Sequence, residues 1–430
     1  MGRIAGMLHN PFKTLGRGFA RLAKLAAVGL SLVVALEMLV LALVEAAETV
    51  RRKFWDQPPE EEFPWEEQPE IELEYGDEHI KLYPDYGRLY EDMLAEIECA
   101  EEYVFVETFI WQDDGVGRRF VDALARKARE GVRVYAVFDE LANLGQSVEF
   151  KDFPAEIYTL RFRSFSGPLD AINPRGLHRD HRKILAVDGR VAFAGGFNIG
   201  ELYTRWRGTH FRLRGAQVHD IERAFIGFWN SHRPDDLPSI PPAQGRSWNP
   251  AMVFHSNDPY HHVHPIRDLY LRNINKANER VYITSAYFTP GPALRDALMN
   301  AAKRGVDVQV LIPKYSNHAL VDWLARQHLR ELLEAGIKIF EYKNFMVHAK
   351  TATVDGEWST VGSANLDSLS LFGLHETNLE VYSKRLAERL EAMVELDKTN
   401  ADELTMEKWQ DRPLPVKVVE GAFIPLRLLG

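Results

Sequence analysis

One pattern, present twice, constrains this chain more than any other feature. Residues 181–198 and 348–365 share the spacing H-x-K-x4-D-x6-G-[GS]-x-N. The likeness extends to what precedes each copy. Residues 104–111 (VFVETFIW) read as a buried strand, a helical stretch ends at Gly131, and 132–139 (VRVYAVFD) read as a second strand. In the later half, 281–288 (VYITSAYF), 294–304 and 305–312 (GVDVQVLI) repeat that order. Residues 123–132 (ALARKAREGV) align without a gap on 297–306 (ALMNAAKRGV). Strands alternating with helices build βαβ units and an α/β fold. A repeat of this length is a duplicated domain, not a short solenoid unit.

The rest of the chain arranges itself around the two copies. Residues 1–24 form a basic segment with Arg3, Lys13, Arg17, Arg21 and Lys24. Residues 25–44 are apolar but for Gly29, Ser31 and Glu37, which is the length a helix needs to cross a bilayer. A membrane helix is expected over 25–47, with a signal sequence as the competing reading. Arg51, Arg52 and Lys53 follow the run, and the small excess of cations before it favours a cytoplasmic N-terminus. Residues 48–70 read as an acidic, proline-rich linker. The first repeat is expected over 71–233, a proline-rich connection over 234–250, the second repeat over 251–400 and a C-terminal extension over 401–430.

Two function classes lose ground on composition. The formal net charge is −10, whereas a nucleic-acid binder needs cations to neutralise phosphates, so no nucleic-acid partner is expected. Cys99 is the single cysteine, which excludes an internal disulfide and a cysteine zinc site.

Strand physics gives the repeated motif its geometry. Side chains alternate faces along a strand, so His181 and Lys183 point the same way, as do His348 and Lys350. Asp188-Gly189 and Asp355-Gly356 sit between apolar runs and read as tight hairpin turns. Each return strand carries Asn198 or Asn365 back toward the His/Lys end. An imidazole can act as nucleophile, acid or base near neutral pH. Lysine and asparagine can hold the non-bridging oxygens of a phosphate. Two such sets supply two histidines for one phosphorus, one to attack and one to protonate the leaving oxygen. Structural His/Lys hairpins would not require the same residues at equal spacing in both halves.

These residues resemble the paired motifs of the phospholipase D superfamily, and within it the bacterial cardiolipin synthases. The resemblance covers residues 71–382 and includes GGFNIG at 195–200, Trp206-Arg207, SAYFTP at 285–290 and GSANLDSLS at 362–370. It implies a duplicated α/β domain in which two mixed sheets, flanked by helices, surround one shared active site. It also implies a covalent phosphatidyl-histidine, no metal and no other cofactor, and phospholipid substrates in the bilayer. On that basis His181 is the nucleophile and His348 the general acid and later base, an order that could be reversed. Lys183, Lys350, Asn198, Asn365 and Ser363 bind the phosphate. Asp188 and Asp355 belong to the catalytic motif but serve to fix its turn. A carboxylate beyond each motif orients the histidine ring. Glu376 fits that role in the second half, whereas the matching position of the first half is Gly208. Either Glu201 or another acid substitutes there, or His181 is less well held.

Other candidates carry less. His255, His261, His262 and His264 lie close enough in sequence for a metal site, yet no cysteine or acidic helix accompanies them. Tyr287 and Phe288 fit an acyl channel and a plain core equally well. Glu107 and Asp139 end strands at the presumed active edge, where rim acids are common. The function expected is phosphatidyl transfer to an alcohol, with two phosphatidylglycerols giving cardiolipin and glycerol. A hydrolase releasing phosphatidic acid shares the same motifs. A nuclease and a non-catalytic lipid-binding protein are the remaining alternatives.

Overall fold

The computed structural model describes residues 68–163, 178–245, 249–343 and 346–423, with scattered positions between 45 and 53. The expected membrane helix and most of the acidic linker lie outside the described residues. Among those described, no helix is long and apolar enough to cross a membrane. The described positions between 45 and 53 and residues 413–422 belong to one unit and are largely helical. The other unit carries both motifs.

That unit holds two eight-stranded sheets. The first is built from β1 (Ile71–Tyr75), β2 (Glu78–Tyr83), β3 (Tyr103–Thr108), β4 (Arg133–Asp139), β5 (Tyr158–Phe162), β7 (Ile184–Val187), β8 (Val191–Gly195) and β9 (His210–Arg214), with β6 (Arg179–Asp180) outside it. Its order is β1-β2-β9-β8-β7-β3-β4-β5. The second half supplies β10 (Met252–Ser256), β11 (Arg280–Ser285), β12 (Phe288–Thr289), β13 (Asp307–Pro313), β14 (Lys338–Tyr342), β15 (Lys350–Val354), β16 (Trp358–Gly362), β17 (Leu366–Asp367), β18 (Leu374–His375), β19 (Thr377–Tyr382) and β20 (Ala401–Leu404). Its sheet runs β10-β19-β16-β15-β11-β13-β14-β20. Seven strands of each sheet therefore follow one shared order. The duplication read from the sequence is visible in the topology, and β20 draws part of the expected C-terminal extension into the second repeat.

Parallel and antiparallel pairing mix in the same way in both sheets. β3, β4 and β5 are parallel, as are β11, β13 and β14, with a crossover helix such as Gly115–Arg129 or Pro292–Lys303 between strands. Each motif forms an antiparallel hairpin beside them, β7–β8 and β15–β16. Ile184 pairs with Glu107 and Lys350 with Ser285, so each hairpin begins at the C-terminal end of a parallel strand. That is the edge where open α/β sheets place their sites.

The two halves share apolar interior. Phe105, Phe211, Leu213 and Phe225 of the first pack in one cluster with Val361, Leu379, Val381 and Leu390 of the second. Two crossing strand contacts add backbone hydrogen bonds. β6 pairs in parallel with β18, and Arg207 bridges Val347. The N–H of His181 donates to the carbonyl of His375 at 3.0 Å, and the N–H of His348 donates to the carbonyl of Arg207 at 2.5 Å. Each histidine is thus anchored by the half that does not contain it.

Candidate active site

The local fold aims each His/Lys pair inward. Nζ of Lys183 donates to the carbonyl of His181 at 2.6 Å, and Nζ of Lys350 to that of His348 at 2.8 Å. All four side chains are almost wholly buried. Burial pushes the Lys183 ammonium down to about 8, partly offset by Glu376. Burial, then the nearby Lys183, holds Lys350 well below the usual lysine range. Both imidazoles are held well down by burial and then by the two ammoniums together. Each imidazole is therefore near enough to both ammoniums to feel them, so the four buried groups form one cluster. Buried, and with cationic groups in excess, the cluster suits an anion.

The rings are held differently. Nδ1 of His181 lies 2.9 Å from Oε1 of Glu376. The other oxygen of Glu376 accepts from the Ser363 hydroxyl, which itself accepts from the N–H of Thr377 at 2.9 Å. Burial raises the Glu376 carboxyl well above its ordinary range, opposed by Lys183. Nδ1 of His348 instead meets the backbone carbonyl of Gly196 at 3.1 Å. A carbonyl only accepts, so His348 carries its proton on Nδ1 and presents Nε2 to the pocket.

Two expectations are corrected here. Glu376 orients the histidine of the other half, His181, and among the described residues no carboxylate pairs with His348. The ladder equates the positions: the N–H of Gly196 donates to Thr209 at 2.9 Å as that of Ser363 donates to Thr377 at 2.8 Å. Gly208 therefore occupies the place of Glu376, and Gly196 that of Ser363. A Cβ on Gly208 would lie 2.4 Å from Cζ of Phe197, so this ring fills the space the carboxylate takes in the other half. Glu201 is exposed and does not substitute. Ser363, expected to bind phosphate, has its hydroxyl committed to Glu376 and the backbone.

Asn198 and Asn365 are both buried near the motif's end but differ in freedom. Oδ1 of Asn198 accepts from the N–H of Ile110 at 3.2 Å, which commits it to the loop after β3. Nδ2 of Asn365 reaches Ser370 at 3.4 Å and its Oδ1 meets no partner among the described residues, so a half-turn of the amide presents a donor instead. Asp188 and Asp355 lie at the far end of their hairpins, away from the histidines. Each has positive φ, 51° and 54°. Asp188 accepts from the N–H groups of Glu101, Glu102 and Tyr103, and Asp355 from those of Asn278, Glu279 and Arg280. They clamp the turn to the start of β3 or β11.

The acids expected on the rim are buried instead. Asp139 pairs with Arg179 through both guanidinium arms, and Glu107 pairs with the fully buried Arg182. Arg179 and Phe109 had no role in the sequence reading, and Trp206 only a place in the family resemblance. Phe109 stacks edge-on against His181 at 4.8 Å, with the Arg179 guanidinium over its ring at 5.4 Å. Trp206 lies 5.0 Å from the His348 ring. Arg179 had no signal in the repeat, because the matching residue is Met346. Tyr287 stands 6.3 Å from His348, whereas Phe288 belongs to the core. The four clustered histidines do not converge: His255 binds Glu380 at 2.8 Å and His261 binds Asp258 at 2.7 Å. Among the described residues, no group of three or more metal-binding side chains comes together.

The duplicated α/β body thus gathers its two His/Lys pairs into one buried cluster suited to an anion. A family model described as cardiolipin synthase, PLD-like domain, matches residues 270–397. Cardiolipin synthase 1 of Staphylococcus epidermidis is 34% identical over 361 residues, covering 80% of this chain and 72% of its own length. A cardiolipin synthase of Staphylococcus aureus is 32% identical over 362 residues, with the same two coverages of 80% and 72%. The crystal structure of phosphatidylserine synthase from Haemophilus influenzae superposes with a TM-score of 0.63 at 13% identity, covering 89% of this chain and 98% of that one, a likeness of fold. The chain belongs to the phospholipase D superfamily, in its cardiolipin synthase family, and is an enzyme.

Proposed function

We propose that this enzyme is a membrane-associated phosphatidyltransferase that joins two phosphatidylglycerols into cardiolipin and glycerol. His181 is the nucleophile, and the observation that carries this is its contact with Glu376. As Nε2 attacks phosphorus the ring gains positive charge, and a carboxylate on Nδ1 stabilises that charge better than a carbonyl does. His348, with only the Gly196 carbonyl behind it, is the better proton donor.

In the first step Nε2 of His181 bonds to phosphorus while the bond to the headgroup glycerol breaks. The negative charge of the bound phosphate favours the protonated ring of His348, and the leaving oxygen takes the proton of its Nε2. In the second step a hydroxyl of another phosphatidylglycerol gives its proton back to His348 and attacks phosphorus, releasing His181. Lys183 and Lys350 hold the non-bridging oxygens throughout, and Asn365 adds an amide donor. The apolar run at 25–44 would keep the body at the bilayer where both substrates reside.

The test is product analysis by mass spectrometry after incubating the purified chain with phosphatidylglycerol vesicles. Cardiolipin and glycerol in equal amounts are expected. Phosphatidic acid as the sole lipid product would make the enzyme a hydrolase and overturn the proposal, as would cleavage of other phosphodiesters with no lipid turnover.

A further inference from the structure

We infer that the edge of the catalytic body bearing the two histidines is itself the face that enters the bilayer, through apolar side chains set around the site. The inference rests on the proposed lipid substrate. Drawing acyl methylenes out of a bilayer into water is costly, so the phosphorus must be reached close to the membrane surface. An apolar rim at the catalytic edge would allow this.

Such a rim is present. Among the described residues of the catalytic body, Tyr158, Val253 and Tyr382 are exposed within strands. Every other exposed large apolar side chain sits on a loop or short helix at the catalytic edge. Leu144 and Val148, 63% and 72% exposed, follow the end of β4, where Asp139 holds Arg179. Their loop is tied to the segment after β3 by Gln146, which accepts from the N–H of Asp113 at 2.7 Å. Leu202, 50% exposed, follows Asn198 and leans on the same segment, its N–H reaching Gln112 at 3.3 Å. Leu369 and Phe372, 57% and 42% exposed, lie on the short helix Ser368–Phe372 that follows Asn365.

Cations stand among these apolar side chains. The Arg267 guanidinium, paired with Asp268, lies over the Phe372 ring at 5.2 Å, and exposed Arg205 stands three residues from Leu202. Cations beside apolar side chains fit a surface with anionic phosphates above hydrocarbon. The opposite edge, where strands β3, β4 and β11 begin, exposes acids and bases together, Glu101, Glu102, Glu130 and Glu279 beside Arg129, Arg133, Lys276 and Arg304. A bilayer therefore fits the catalytic edge better than a folded protein partner, which would not require apolar side chains on separate loops around a catalytic mouth.

Two readouts test this with the full chain in vesicles of phosphatidylglycerol and phosphatidylcholine. An environment-sensitive dye on Leu144→Cys or Phe372→Cys, with Cys99→Ser, should shift to the blue, while the same dye on Glu130→Cys should stay aqueous. The double variant Leu144→Asp, Phe372→Asp should lose roughly tenfold or more turnover of vesicular phosphatidylglycerol, the scale of losing buried leucine-sized side chains. Its turnover of short-chain, water-soluble phosphatidylglycerol should stay within about twofold, because the histidine site is untouched. Dyes at 144 and 372 that stay as aqueous as the one at 130 would overturn the inference, and so would equal losses on both substrates. A blue shift in a chain that turns over neither lipid would support the docking face and sink only the functional reading.

Discussion

Glu376 and His181 are 195 positions apart in the chain, yet Oε1 of one stands 2.9 Å from Nδ1 of the other. The contact exists because the strand carrying Glu376's neighbours, β18, pairs with β6 just ahead of His181. The reciprocal contact, through Arg207 and Val347, delivers Gly208 to His348. The fold thus keeps its symmetry in the backbone and breaks it in the side chains. Ser363 and Glu376 form a hydroxyl–carboxylate relay behind one histidine. Gly196 and Gly208 leave a bare carbonyl behind the other.

Glu376→Gln is expected to cut the rate by about a hundredfold or more, as losing the carboxylate behind a catalytic histidine does elsewhere. Single-turnover kinetics should show the loss in formation of the covalent intermediate. Stability should hardly change, since burial already disfavours the charged carboxylate. A rate loss confined to the second step would assign the nucleophile to His348.

Much of this enzyme is legible in its sequence. The hydrophobic runs that became β3, β4, β11 and β13 are long, and Gly131 and Gly305 mark the starts of β4 and β13, so periodicity finds them. The motif spacing gives both hairpins and their turns, because Asp-Gly at a reversal has a local cause. The pairing of Glu376 with His181 has no local cause. It follows from two strand contacts between halves, and the repeat taken alone assigns each carboxylate to its own half. Gly208 read as a missing acid for the same reason, although Phe197 fills its space. Arg179 was invisible because its anchor, Asp139, is 40 residues away.

With His348→Ala, a phosphatidyl ester of p-nitrophenol should still react, since that leaving group needs no proton. One equivalent of nitrophenol per enzyme is expected, followed by a stall, because no base then activates the acceptor. Mass spectrometry should find the phosphatidyl group on His181. Steady turnover by this variant, or an adduct elsewhere, would be incompatible with the roles assigned.

Phosphate binding should consume protons. Burial pushes the Lys183 ammonium down to about 8. A bound anion favours the charged form, so it raises that value and a proton is taken up above pH 8. Affinity for inorganic phosphate should therefore fall as pH rises through this range, by up to about tenfold per pH unit for one coupled proton. Calorimetry in buffers of different ionisation enthalpy measures the uptake. Lys183→Met should reduce the uptake measured near pH 8, and an uptake unchanged by this substitution would exclude Lys183 as a source.

Gly208→Ala should destabilise the fold by about 1–3 kcal/mol, because its Cβ has no room beside Phe197. Phe197→Ala opens a cavity and carries its own cost of about 3–5 kcal/mol. Combined, the two should cost clearly less than their sum, since each relieves the other. Denaturant titration of all four proteins reads the coupling directly, and strict additivity would show that the ring does not fill the position opposite Glu376.

Asp355 separates structure from chemistry most cleanly. It shares the motif with His348 and Lys350, yet its carboxylate accepts three backbone N–H groups, from Asn278, Glu279 and Arg280. Asp355→Ala removes this clamp, leaving the part-buried Arg280 N–H without its acceptor, and should cost about 1–3 kcal/mol. Asp355→Asn keeps one acceptor oxygen and tolerates the φ of 54°, so it should cost less than the alanine change. Neither touches the pocket, so the rate per folded molecule, from active-site titration, should stay within about twofold of the parent. A hundredfold loss of rate with unchanged stability would place Asp355 in the reaction and contradict its position at the far end of the hairpin.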